Sequence, residues 1–200
     1  MKLLLNKTSP YARMARIAML EKGLQDKVEL CWCDPWNDDP QMLQHNPAGR
    51  IPALVTDHGL TLSESLLIAT YLDSLIDHDP LIPEDRKALV LHFAGLGQGL
   101  MEASFNAVIA RKYLDEAANN SVLSERRWNA IDRTLTQLEL SIEQLAATPS
   151  ISLGEIGVAV AIDYLLFRLP ELDTYARYPK LAAWHQSLTQ RPSFTTTRFN

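Results

Sequence analysis

The sequence predicts a small mixed α/β domain followed by an all-helical domain. Short strand-like apolar runs alternate with helical segments in roughly the first 80 residues, and only helical periodicity follows a polar stretch rich in proline. The 200 residues, 46% hydrophobic and 22% charged, are enough for one large domain or two small ones. We therefore place the α/β domain at residues 1–78, a linker at 79–85 and the helical domain at 86–200.

The first domain begins with a predicted strand, helix and second strand. The apolar run Lys2–Asn6 predicts a strand that ends at turn-forming polar residues. Pro10 suits the first turn of a helix, where its missing amide hydrogen is not needed, and Gly23 suits the left-handed end of that helix. Val28–Trp32 predicts the second strand. This order favours a parallel strand pair.

The remainder of the first domain predicts a loop-rich segment, a hairpin and a helix. Pro35–Gly49 has room for one short helix. Ile51–Thr56 and Leu60–Leu62 predict two strands joined by a glycine-containing turn. Helical spacing then predicts a helix over Ser63–Ile76, with Ser63 as its N-cap. Together these elements make a small mixed sheet with helices packed on it.

The second domain is predicted to contain only helices. The segments with helical periodicity are Arg86–Tyr113, Ser124–Ala147, Gly154–Leu169 and Tyr178–Gln190. Within the first of them, the run Gly95–Gly99 resembles a fragment of a phosphate-binding loop. No strand precedes that run, so we interpret its glycines as positions of close helix packing.

Composition and charge exclude several functional classes. The net charge of −5 argues against a polyanionic partner, so no nucleic acid is expected. The apolar run Leu3–Leu5 is too short for a signal peptide, and no window approaches the roughly 20 apolar residues that span a bilayer. We expect a cytoplasmic protein whose Cys31 and Cys33 are reduced thiols on one face of a strand. The five histidines lack ligand spacing, so no metal is expected.

Ser9 is the first residue that points to chemistry. It lies where the first strand meets the first helix, which is the N-cap position. Its hydroxyl and the free amides of the first helical turn favour an anion at this point. On local sequence alone, the favoured interpretation is that Ser9 simply caps the helix, which is worth about 1 kcal/mol.

Two later segments have the same ambiguity. Pro52 opens a predicted strand, and an ordinary turn proline is the default interpretation. If the bond before it were cis, nearby backbone groups would be open to pairing with an extended peptide ligand. Glu64 and Ser65 open the third helix, where both can act simply as first-turn residues. Alternatively, Ser65 binds the carboxylate of a ligand while Glu64 binds its ammonium group.

Considered in order, these segments resemble the cytosolic glutathione S-transferase superfamily, and the resemblance extends along the whole chain. An Asn-Pro-x-Gly-x-x-Pro segment followed by Glu-Ser is typical of that superfamily. Its second domain also carries a Ser-x-x-Glu capping box. The segments that carry the resemblance are Thr8–Arg13, Asn46–Leu54, Leu62–Ser65, Ser152–Glu155 and Arg191–Phe194. The likeness is greatest to bacterial members with Ser-Pro-Phe or Ser-Pro-Tyr at the first helix.

The resemblance implies a thioredoxin-like first domain that binds glutathione and a helical second domain that contributes an electrophile pocket. It implies that Ser9 contacts the glutathione sulfur and that Ile51 pairs its backbone with the cysteinyl unit beside a cis Pro52. Arg50 stands where relatives have a basic residue near the glycyl carboxylate.

The resemblance further implies that Glu64 and Ser65 hold the γ-glutamyl end of glutathione. The expected function is conjugation of glutathione, as co-substrate, to a soft electrophile. A role in detoxification, a homodimeric state and the absence of a metal cofactor are implied with it. By their spacing, the residues Met101, Phe105 and Tyr113 suit a helical core, and some of them are candidates to face the cleft and line the electrophile pocket.

The proposed role of Ser9 is energetically sufficient. A thiol of pKa about 8.5 is about 3% ionised at pH 7, and lowering that pKa by ~2 units raises the ionised fraction to about 75% at a cost of ~2.7 kcal/mol. A hydrogen bond to a charged group supplies about 1.5–3 kcal/mol, and a helix end adds about 0.3–1 kcal/mol. Ser9 is not expected to be a nucleophile itself, because no histidine lies close to it in sequence to act as its base.

Two other functions remain open on the same scaffold. Glutathione-dependent disulfide or peroxide reduction is one, although relatives with that activity often have cysteine at the position of Ser9. A non-catalytic interaction or regulatory protein is the other, because fold alone does not establish an activity.

Overall fold

A computed structural model describes residues 1–145 and 150–200 of the chain. The first part forms a four-stranded mixed sheet with three helices, as the sequence predicts. In chain order its elements are β1 (Lys2–Leu5), α1 (Pro10–Glu21), β2 (Glu29–Trp32), α2 (Pro40–His45), β3 (Ala53–Val55), β4 (Thr61–Ser63) and α3 (Ser65–Ser74).

The sheet has the strand order β2-β1-β3-β4. β1 runs parallel to β2, with Leu4 opposite Cys31, and antiparallel to β3, with Leu4 opposite Ala53. β3 and β4 form an antiparallel pair in which Leu54 lies opposite Leu62. The predicted parallel pair and the predicted hairpin are therefore both confirmed.

The start of α3 differs from the prediction. Ser63 is the last residue of β4, paired with Ala53, and is not the N-cap of a helix. Glu64 follows with φ 68° and ψ 123°, a conformation that a helix cannot contain, and α3 begins at Ser65. The predicted N-cap at Ser63 is wrong because strand pairing outweighs the local capping preference.

In the second part, residues 86–145 and 150–200 form helices and no strand. They are α4 (Lys87–Tyr113), α5 (Glu116–Asn119), α6 (Val122–Ser141), α7 (Leu153–Arg168), α8 (Thr174–Arg177), α9 (Pro179–Leu188) and α10 (Pro192–Thr195). The predicted helix Ser124–Ala147 ends earlier, at Ser141, and a 3₁₀ turn Ile142–Gln144 follows it. Ala147 lies outside the described residues.

Helix α7 is the central element of the second part. Its capping box is formed as predicted, because the Glu155 carboxylate accepts from the Ser152 amide at 2.7 Å and the Ser152 hydroxyl accepts from the Glu155 amide at 3.3 Å. Most of the helix is buried. Met14 of α1 and Ala69 of α3 share one buried cluster with Leu165 of α7. This common core fixes the sheet-bearing part against the helical part.

Close packing of α4 on α7 depends on Gly97. A Cβ atom at Gly97 would lie 2.4 Å from the carbonyl carbon of Gly157 and 2.6 Å from the amide nitrogen of Val158. The interpretation of this glycine as a packing position is confirmed. It is wrong for Gly95 and Gly99, where a Cβ would meet nothing within 4 Å.

We therefore expect Gly97→Ala to destabilise the protein by about 1–3 kcal/mol, because the methyl group would force apart two helix backbones. Gly95→Ala is the matched control. It adds the same methyl group to the same helix in open space and should stabilise the protein by about 0.5–1 kcal/mol. Urea unfolding of both variants measures the difference. Equal effects of the two substitutions on stability would contradict the close approach of α4 to α7 at Gly97.

A buried ion pair joins α1 to α7. Arg13 donates to the Asp163 carboxylate at 2.5 Å and to the carbonyl of Phe194 at 3.3 Å. His185 lies 3.3 Å from the other oxygen of Asp163. Burial alone would raise the pKa of Asp163, but the contacts with His185 and Arg13 outweigh it and lower that pKa below its usual value.

This lowered pKa predicts a specific loss of stability in acid. A carboxylate whose pKa is lowered by folding stabilises the folded protein fully at pH values above its unfolded-state pKa of about 3.9. This stabilisation is lost as the pH falls through the lower pKa of the folded state. The stability difference between the wild type and Asp163→Asn should therefore be constant above about pH 5 and shrink below pH 4. Urea unfolding at stepped pH measures it. A stability difference between the two proteins that grows as the pH falls would contradict the lowered pKa of Asp163.

Candidate functional site

A cleft of about 590 Å³ lies between the sheet-bearing part and helices α4 and α7. Every site residue predicted from the sequence lines this cleft. They are Ser9, Arg50, Ile51, Pro52, Glu64 and Ser65. The cleft thus brings together three segments that are far apart in the chain.

Ser9 is the N-cap of α1. Its Oγ accepts a hydrogen bond from the amide of Ala12 at 3.2 Å, which leaves its own hydrogen for an acceptor in the cleft. The side chain of Asn6 accepts from the amides of Ser9, at 2.8 Å, and of Thr8, at 3.1 Å. Asn6 therefore holds the turn that presents Ser9. This role was not predicted from the sequence, since nothing local distinguishes Asn6 from any turn residue.

Tyr11 is a second hydroxyl donor in the cleft. Its ring meets the ring of Phe105 edge-on, with centroids 5.8 Å apart. Burial, followed by the nearby charge of Glu102, raises the pKa of Tyr11 well above its usual value. The phenol is therefore neutral at physiological pH and can donate a hydrogen bond. From the sequence, Tyr11 was recognised only as part of a motif and not as a donor.

The loop before β3 is held by the buried side chain of Asn46. Its amide nitrogen donates to the carbonyl of Arg50 at 2.8 Å, and its amide oxygen accepts from the backbone of Ala48 at 3.2 Å. Gly49 has φ 64°, a conformation that favours glycine. This turn leaves the Arg50 side chain exposed at the edge of the cleft.

The Ile51–Pro52 peptide bond is cis, as the family resemblance implies. Pro52 is buried, and Ile51 is half-buried on the cleft. The sheet pairing of β3 begins only at Ala53. The backbone of Ile51 therefore lies beyond the strand pairs shown by the structure, where an extended ligand can reach it.

Glu64 and Ser65 form the third wall of the site. Ser65 is only 2% exposed, is the first residue of α3, and has its Oγ 3.5 Å from Oε1 of Gln98 on α4. Glu64 is exposed and has positive φ. Such strained positions in non-glycine residues concentrate at functional sites. The Glu64 carboxylate can accept hydrogen bonds from the ammonium group of a ligand. The free backbone amides at the start of α3 can donate to the carboxylate of the same ligand.

Helices α4 and α7 supply the opposite wall of the cleft. Phe105 and Tyr113 line it, whereas Met101 is fully buried in the core. Tyr113 stacks on Trp36 with ring centroids 4.9 Å apart, and both rings are about half-exposed. Lys112 lines the cleft too, and further lining residues that were not predicted from the sequence are Val108, Ile109, Tyr164 and Arg168. This end of the cleft is more aromatic and apolar than the end near Glu64.

The two cysteines lie outside the cleft lining. Cys33 has its sulfur 3.6 Å from the carbonyl oxygen of Leu5, and both Cys31 and Cys33 are free thiols. Burial raises the pKa of each thiol, which makes both poor nucleophiles at neutral pH. Among the described residues, no group of three or more His, Cys, Asp or Glu side chains is arranged to hold a metal ion. Within the same residues, we find no helix with the length and hydrophobicity required to traverse a bilayer.

Comparisons with known proteins agree with this geometry. Residues 8–75 match the model of the glutathione S-transferase N-terminal domain. The uncharacterized GST-like protein YibF of Escherichia coli K12 is 32% identical over 205 residues, which cover 98% of each chain.

A glutathione transferase family member from Pseudomonas fluorescens Pf-5, solved with bound glutathione, superposes with a TM-score of 0.92 at 34% identity, over 100% of this chain and 98% of that one. A structure of a Pf-5 family member with bound S-(propanoic acid)-glutathione gives a TM-score of 0.88 at 33% identity, over the whole of both chains. By sequence and by fold, this chain belongs to the glutathione S-transferase family.

Proposed function

We propose that the cleft binds reduced glutathione and activates its thiol for conjugation to a soft electrophile. Glu64 and Ser65 bind the γ-glutamyl end, the backbone of Ile51 pairs with the cysteinyl unit beside Pro52, and Arg50 attracts the glycyl carboxylate. The observation that carries this proposal is that all of these residues share one cleft with Ser9. The glutathione bound in the Pseudomonas fluorescens relative supports it.

In this proposal, Ser9 stabilises the glutathione thiolate. Its oxygen already accepts from the Ala12 amide, so its hydrogen is free to be donated to the sulfur. The N-terminus of α1 adds a favourable dipole at the same point. Together these contributions match the ~2.7 kcal/mol needed to lower the thiol pKa by ~2 units.

The electrophile then occupies the aromatic end of the cleft, between Phe105, Tyr113 and Tyr164. The thiolate sulfur forms a new bond to the electrophilic carbon. In a displacement the leaving group departs with its bonding electrons, and in an addition the adjacent carbon takes up a proton. The glutathione thioether bound by a Pseudomonas fluorescens relative supports a cleft that holds a conjugate.

Product analysis tests this function. The protein is incubated with reduced glutathione and either an activated aryl chloride or an α,β-unsaturated ketone, and the thioether is quantified by mass spectrometry. We expect enzyme-dependent thioether formation with at least one of them. Glutathione disulfide formed from a disulfide or peroxide instead would favour the reductase alternative. Glutathione binding without either product would favour a non-catalytic interaction protein.

The described cleft lining favours conjugation over reduction, because it contains no cysteine among those residues. We also propose a cytoplasmic homodimer with domains at residues 1–78 and 86–200, on the strength of the family resemblance. Light scattering after size-exclusion chromatography tests the oligomeric state. Twice the monomer mass of 22.5 kDa is expected.

A further inference from the structure

A second cavity, of about 270 Å³, lies between the beginning of α1, the end of β2 and the segment 196–200. Four of its lining residues are cationic, and none of its described lining side chains is acidic. The cations are Lys7, Arg13, Arg16 and Arg198. The cavity therefore presents a concentration of positive charge on a protein whose net charge is −5.

Most of this positive charge is not neutralised. Arg13 is paired with Asp163, but within residues 1–145 and 150–200 no ion pair involves Lys7, Arg16 or Arg198. After burial, which is the main cause, the neighbouring charges of Arg198 and Arg16 help to lower the pKa of Arg13. The cations are therefore close enough to repel one another. An anion between them would relieve that repulsion.

Arg16, which lines the cavity, also has an unsatisfied donor. The Nε atom of Arg16 is buried and has no hydrogen-bond partner among the described residues. The Arg16 guanidinium lies over the Trp32 ring, 5.4 Å from its centroid, and Lys7 Nζ lies 5.9 Å from the same centroid. Trp32 thus holds two of the cations in place. A buried charged donor without an acceptor is costly, which indicates a missing acceptor at this position.

We propose that this cavity binds a small multivalent oxyanion, a phosphate group, through Arg16, Arg198 and Lys7. Planar guanidinium groups match the oxygens of a phosphate, and Lys7 adds a point charge. The volume suits inorganic phosphate or the phosphate end of a small phosphomonoester. The site is separate from the glutathione cleft, with which it shares only Asn6 among its lining residues.

Titration of the full chain with inorganic phosphate tests the proposal, without glutathione and in a zwitterionic buffer of low ionic strength. Calorimetry measures affinity, and the NMR resonance of the Arg16 Nε–H group reports its hydrogen bonding. We expect saturable millimolar or tighter binding with a shift of that resonance, and no such shift with chloride at equal ionic strength. Glycerol phosphate binding more tightly than inorganic phosphate would identify a phosphomonoester as the preferred form, and equal affinity would identify the free ion.

Single substitutions locate the binding. Arg16→Gln and Arg198→Gln should each weaken phosphate binding about 10-fold, because each removes a charge-assisted contact. Arg198 is exposed, so its replacement leaves folding intact. Arg126→Gln, which removes an exposed arginine of α6 outside the cavity, is the matched control and should have no effect. Absence of saturation, or equal affinity in all three variants, would overturn the proposal. Because glutathione is absent, neither result bears on the proposed transferase function.

Discussion

Replacement of Ser9 by alanine is expected to lower glutathione conjugation at pH 7 by about 5- to 15-fold. The reason is the loss of the hydroxyl hydrogen that stabilises the thiolate, since the remaining helix end supplies only about 0.3–1 kcal/mol and the ionised fraction would fall from about 75% to about 5–15%. The deficit should shrink as the pH rises towards 9, where the thiol ionises without help. Initial rates measured across this pH range at saturating glutathione give the profile.

Two controls separate this effect from helix capping. Ser9→Thr keeps a hydroxyl at the N-cap and should restore most of the rate. Ser121 caps α6 by accepting from the Ser124 amide at 3.3 Å and does not line the cleft, so Ser121→Ala should cost comparable stability without changing turnover. A Ser9→Ala enzyme with unchanged rates at pH 7 would show that Ser9 only caps α1.

Glu64→Gly is expected to weaken glutathione binding and, at the same time, to stabilise the protein. Loss of a charged hydrogen-bond acceptor, worth about 1.5–3 kcal/mol, weakens binding about 10- to 150-fold. Glycine also removes the strain of φ 68°, which should raise the free energy of unfolding by about 1 kcal/mol. Calorimetry and urea unfolding measure the two effects on the same preparation.

Glu64→Ala separates binding from strain, because it removes the carboxylate but keeps a Cβ at positive φ. It should bind glutathione as weakly as Glu64→Gly and gain no stability. Asp173 also has positive φ, 49°, and is not among the residues that line the cleft. Asp173→Gly should therefore leave glutathione affinity unchanged. Full affinity in both Glu64 variants would remove Glu64 from the proposed site.

Local signals in the sequence placed Ser9, Glu64 and Ser65 at the starts of predicted helices. On those signals alone each could be a capping or first-turn residue, and the family resemblance supplied their roles in the site. The backbone at Glu64 was not predictable, since positive φ in a glutamate has no local signature and follows from how β4 leads into α3. The prediction of Ser63 as N-cap failed for that reason.

Features that arise from packing between segments distant in the chain could not be predicted from the sequence. Gly95 and Gly97 occupy almost identical local sequence, yet only Gly97 meets the backbone of α7. Tyr164 of α7 and Trp36 of the loop after β2 both line the cleft, where Trp36 stacks on Tyr113 of α4. The four-residue helices α5, α8 and α10 are too short to show a helical period, so periodicity could not predict them.

The most direct test of the central claim is the pKa of the glutathione thiol in the complex. Ultraviolet difference absorbance of the thiolate, recorded as a function of pH with the wild-type protein in excess, gives this value. We predict a thiol pKa of about 6.5 in the complex, against about 8.5 in free solution. A value that stays near 8.5 while glutathione binds would contradict thiolate stabilisation by Ser9 and the N-terminus of α1.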